Sequence, residues 1–146
     1  MSEEASIPIW GPVALVAAGS GEYIARAGPT TNEGDPHVIG IAVGPLRDAE
    51  NGYVSDAAGQ AIQVLTFGKG KCKVDGQENI AVGDALNSHA ADGIAQLLGA
   101  IDGTDWASVT VQAQLAASGF AIALYASTVD LGIIPVHVHG ARGTLA

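Results

Sequence analysis

A chain of 146 residues holds one domain with a sizeable core and is too short for two ordinary ones. Hydrophobic residues make up 48% and charged residues only 14%; this excludes a disordered chain and leaves apolar surface for a partner to cover. The net charge of −9, from 15 acidic and 6 basic residues, argues against nucleic acid and against anionic membrane surfaces, both of which require many Lys and Arg.

The first residues, Met1–Ser6, are polar and carry glutamates where a secretory signal carries positive charge. Pro8 follows, and residues 1–10 are expected to form an extended N-terminal arm, with residues 11–146 as a single β-rich domain. From Ile9 the chain turns apolar through Trp10, Val13, Leu15 and Val16. Gly19-Ser20-Gly21 predicts a turn, and the alternation from Glu22 to Ala27 predicts a short strand. Gly28 to Pro36 contains several breakers and reads as a loop.

Val38–Val43 is a compact apolar run ended by Gly44-Pro45, a clear strand. Residues 47–59 form a long polar loop. Ala61–Val74 reads as a strand or bent hairpin, with bends at Gly68 and Gly70. Asp75-Gly76 is a turn, and Ile80–Leu86 enters another strand. A polar turn spans Asn87 to Gly93, and a further strand runs from Ile94 to Leu98.

Residues 99–118 admit two readings. Val109, Val111, Ala113 and Leu115 alternate with polar residues, which favours a strand, while Thr104-Asp105 could cap a helix carrying Trp106. The chain closes with Phe120–Tyr125, a turn over Ser127–Gly132, and Ile133–His139. Ile39-Gly-Ile-Ala-Val43 echoes Phe120-Ala-Ile-Ala-Leu124, each followed by a second strand, so two similar hairpins could pair around one core. Short strands between Gly, Asp and Pro turns predict an all-β fold, a compact barrel or sandwich with long loops.

Chemistry-bearing residues are sparse. Cys72 is the single cysteine, so neither an intramolecular disulfide nor a cysteine-based zinc site is available. His137 and His139 share one strand face and are weak candidates for a metal site, with His37, His89 or an acidic residue as the third ligand. Asp35, Asp48, Asp84, Asp102 and Asp105 all sit in or beside turns, which suits turn formation better than paired acid–base catalysis. The glycines around Lys69 lack phosphate-loop spacing. No catalytic residue, metal or cofactor is therefore expected.

Lys69, Lys71 and Lys73 are three of the six basic residues and fall at period two. They share one face of a strand, opposite Gly70, Cys72 and Val74. They suit either an acidic partner surface or protection of a sheet edge. Ile7, Ile9 and Trp10 are the candidate anchors of the arm, which could add a strand to a partner's sheet. On that reading, removing residues 1–10 should weaken binding without unfolding the domain.

The order of the pieces resembles the small capsid-decorating, or cement, proteins of tailed phages. The residues that carry it are Ile39-Gly-Ile-Ala-Val43, the loop 47–59, Ile62 to Gly70, Ile80-Ala-Val-Gly-Asp-Ala-Leu86, Gly119-Phe-Ala-Ile-Ala-Leu124 and Ile133 to Gly140. The likeness spans roughly residues 36–140; residues 99–118 and the N-terminal segment are longer than in that pattern. It implies a virion structural protein without catalysis, bound as a homotrimer to the exterior of an icosahedral capsid. There it would cement neighbouring major capsid subunits, after assembly in the host cytoplasm. The competing reading is a β-sandwich binding module for glycans or cell surfaces, which would need a cluster of exposed aromatics.

Overall fold

The computed structural model describes residues 1–17, 26–30, 34–75, 79–89, 93–98, 117–129 and 131–143. The described chain is all-β: a four-stranded sheet and a closed five-stranded barrel. Its strands in chain order are β1 (Pro12–Val16), β2 (Arg26–Pro29), β3 (Val38–Gly44), β4 (Gln63–Leu65), β5 (Gly68–Val74), β6 (Ala85–Ser88), β7 (Ala95–Leu97), β8 (Ala121–Ala123) and β9 (Gly132–Val138).

The sheet has the order β2-β1-β3-β4, with every pairing antiparallel. Its prolines sit where a missing N–H is tolerated. Pro12 opens β1, and Pro29 ends β2, an edge strand. For that reason β2 runs on through Gly28 and Pro29, where the breakers alone predict a loop. The register slips between Val13 and Ala14 and again between Ala42 and Gly44, so β3 bends as it crosses between its neighbours.

The barrel runs β5-β7-β6-β8-β9 and closes through β9 onto β5. The longest ladder is β5–β9, from Gly68 opposite Val138 to Val74 opposite Gly132. The stretch 61–74, expected as one long strand or a bent hairpin, is two strands in different sheets, broken at Thr66–Phe67, with Gly68 at φ 111° turning the chain. Asn87 and Ser88, expected in a turn, belong to β6 and are buried. The turn at residues 19–21, residues 22–25, Gly76 and residues 99–116 (with Asp102, Asp105 and Trp106) lie outside the described residues.

Period-two patterning fills the barrel. Cys72 and Val74, Ala121 and Ala123, and Ile134, Val136 and Val138 point inward and are buried. The small residues leave room for Leu86 and for Phe120, the largest fully buried side chain among the described residues. Ala14, Val38 and Ile41 join this core from the sheet, so sheet and barrel share one interior. The hairpin β3–β4 contributes through the sheet and β8–β9 through the barrel, and the two do not pair with each other. A second, smaller core holds Ile7, Val13, Ala42 and Val54.

Residues 1–10 lie within this folded unit and line its loop 52–60. Ser2 N–H donates to the Gln60 carbonyl (2.8 Å), Val54 N–H to the Ile7 carbonyl (2.9 Å) and Ile9 N–H to the Gly52 carbonyl (2.8 Å). The Ser55 hydroxyl donates to the Glu4 carbonyl at 2.9 Å. The apolar side chain of Ile7 has its partners inside the chain itself, which explains why this segment packs down where its acidic start suggests a free arm.

Candidate functional site

The three lysines fall where their spacing puts them. Along β5 the burial alternates, with Lys69 and Lys71 exposed, Lys73 half-buried, and Cys72 and Val74 buried. β5 lies inside the barrel order, and β9 pairs with one side of it along its whole length. Trp10 joins this group through two contacts. Its carbonyl accepts from Lys73 N–H at 2.8 Å, and the Lys71 ammonium stands 5.6 Å from its ring centre, within cation–π range.

Trp10 holds φ at 64°, a left-handed conformation that costs a non-glycine residue about 1–2 kcal/mol. Two hydrogen bonds fix it there: its N–H donates to the Ala42 carbonyl of β3 (2.8 Å), and its carbonyl receives Lys73 of β5. Trp10 is thus the joint between sheet and barrel. Sequence spacing does not connect it to the lysines; the pairing only emerges from where β1 begins.

The other predicted anchors separate. Ile7 is fully buried in the small core, and Ile9 packs half-buried against that core. Neither lies on the lysine face. Apolar residues that the sequence reading did not single out do lie on it. The outward row opposite the lysines on β9 is Ile133, Pro135 and His137, and Ile122 of β8 follows beyond His137. Ile133 is 49% exposed and Ile122 37% exposed. Phe67, 71% exposed, sets its ring edge against His137 at 5.1 Å between centres. The result is a lysine row bordered by apolar side chains, with the Trp10 ring at its middle lysine and the Phe67 ring beyond its Lys69 end. The signal for it is the period-two rule applied to β8 and β9 as well as to β5.

The histidines are held separately. His139 Nδ1 lies 2.8 Å from the Gly140 carbonyl, His37 pairs with Asp35 at 3.2 Å and His89 with Asp75 at 3.4 Å. Among the described residues no three His, Cys, Asp or Glu side chains converge on a metal position. Burial pushes the Cys72 thiol pKa far up, and its Sγ faces the barrel interior, so it is held as an unreactive thiol. Asp48 organises a turn: its carboxylate accepts from Asn51 Nδ2 (2.8 Å) and Asn51 N–H (3.2 Å). Those hydrogen bonds hold its pKa below the ordinary 3.8.

No protein-family model matches the chain, and no curated protein matches it. Among solved structures, the fold is similar to that of the head fiber gp8.5 N base of bacteriophage phi29. The two superpose with a TM-score of 0.55 at 15% identity, over 99% of this chain and 92% of that one. At that identity the likeness is one of fold.

Proposed function

We propose that this chain is a structural protein of a tailed-phage virion, seated on the exterior of an icosahedral capsid. Its finer role in this reading is to cement neighbouring major capsid subunits as a homotrimer, following assembly in the host cytoplasm. The observation that carries the reading is the fold shared over nearly the whole chain with a phage head-fibre component. The order of short motifs over residues 36–140 agrees with it.

The surface supports the same role. A chain of net charge −9 gathers half its basic residues on one barrel face and borders them with exposed apolar side chains. Such a face suits an acidic protein surface with an apolar centre. Repetition on a lattice lets each contact be modest, because linked copies bind with avidity. The role is mechanical and involves no catalytic step.

Mixing the purified protein with undecorated capsids tests this. Saturable binding in numbers set by the lattice, with a raised capsid melting temperature, is expected. Absence of binding at micromolar protein overturns it.

A further inference from the structure

The hydrogen-bond parity of the barrel leaves part of one strand edge turned outward. Along an antiparallel ladder, the N–H and C=O of one residue point to one side and those of the next residue to the other. The Pro135 carbonyl accepts from Leu124 N–H (3.0 Å), and His139 N–H donates to the Phe120 carbonyl (2.9 Å). Pro135, His137 and His139 therefore turn their backbone to β8, and Ile134, Val136 and Val138 turn theirs to β5. Cys72, Gly70 and Gly68 are the register partners that complete this ladder.

Lys69, Lys71 and Lys73 must then turn their N–H and C=O away from β9. The Trp10 carbonyl meets Lys73 N–H. On that side the next strand is β7, which among the described residues meets β5 only where Val74 stands opposite Ala95. β7 begins at Ala95 and runs parallel to β5 beyond Val74, so none of its residues pairs with Gly68–Lys71. The N–H and C=O of Lys69 and Lys71 turn to that side, where no described strand pairs with them, and both residues are exposed.

We propose that the Gly68–Lys71 stretch of β5 accepts an added strand, and that its occupant is an extended acidic segment of a partner protein. An added strand lies about 4.8 Å away and places alternate side chains on the outer face. Directly opposite residues then stand about 4.5–5.5 Å apart, so carboxylates fall beside Lys69 and Lys71. The inward face has little room, because Leu65 already packs against the Cα of Gly70; small or β-branched residues fit there.

Charge selects among occupants. Pairing this edge with the same edge of a second copy sets lysine against lysine, which is unfavourable. Lysines are a usual guard of open edges; here the guard turns away basic and like strands and admits an acidic one. The identity of the partner, a capsid subunit, rests on the proposed function; the edge itself does not.

The test uses the full chain and an end-blocked ten-residue peptide of alternating glutamate and valine, followed through backbone amide NMR. Saturable shifts centred on the Lys69 and Lys71 amides are expected. Replacing the peptide's glutamates by lysine, or placing a proline at its centre, should weaken binding at least tenfold. The double variant Lys69→Glu/Lys71→Glu should lose binding, and the peptide controls on the native chain carry the test if that variant fails to fold. Absence of saturable binding overturns the proposal, as does equal binding of the proline peptide, which would show charge acting without strand addition. Peptide binding without capsid binding supports the edge and removes the capsid reading. Capsid binding without peptide binding removes the edge alone.

Discussion

Asp48 shows how a turn is locked by one side chain. It lies at the surface and holds Asn51 through two carboxylate bonds, while its carbonyl receives Gly52 and Tyr53. A carboxyl whose folded pKa is depressed stabilises the fold above its unfolded pKa, and that contribution is lost as pH falls through the folded value. The Asp48 contribution is therefore complete above about pH 4 and disappears in more acidic solution. NMR titration should place the Asp48 midpoint below 3.8, and Asn51→Ala should move it back up. An unmoved midpoint would show that the Asn51 side-chain bond does not set it. The turn itself is readable from Asp48, Asn51 and Gly52 as residue types. The ladder it closes onto Tyr53 is not, because that depends on where the N-terminal segment lies.

At the scale of elements, close approach between strands decides which substitutions the fold accepts. A Cβ added at Gly40 would run into the carbonyl oxygen of Leu65, where β4 crosses β3. The obstacle is backbone and cannot swing aside. Gly40→Ala should cost about 1–3 kcal/mol or more, read as a lower urea midpoint with an unchanged slope. Gly83→Ala meets no atom within 4 Å and bears only the strain of its φ of 91°, so it serves as the milder comparison. The strand Val38–Val43 is plain in its β-branched run, and so are Ile133–His139 and the lysine alternation. Period two is a local property, so it survives without knowledge of the fold. The run through Pro29, the buried Asn87 and Ser88, and the placement of Ile7 are set by neighbours distant in sequence, and composition points the other way at each. The apolar border of the lysine row is intermediate: its residues are visible, but the β8–β9–β5 order that assembles them is not.

For the molecule as a whole, the packing of residues 1–10 changes what a truncation should do. Ile7 closes the small core over Val13, Ala42 and Val54, and the buried Ser2 hydroxyl donates to the Ala57 carbonyl and accepts from Gln60 N–H. Removing residues 1–10 uncovers that core, so it should lower thermal stability, in contrast to the separable arm read from the sequence. Ile7→Ala alone should cost about 2–5 kcal/mol in chemical denaturation. A truncated chain that melts at the native temperature would restore the arm as an independent piece. The ladder between β5 and β9 has a further consequence, for synthesis on the ribosome. β1 to β4 can find their registers early, but Gly68 has no partner until Val138 has been made. Joining strands so far apart in sequence slows folding, and a waiting strand is a hazard for neighbouring nascent chains. Throughout that interval the side of β5 that β9 will cover is bare, and the Gly68–Lys71 stretch is bare on both sides. The lysines that border its open side in the finished barrel would then keep one nascent copy from pairing with the next.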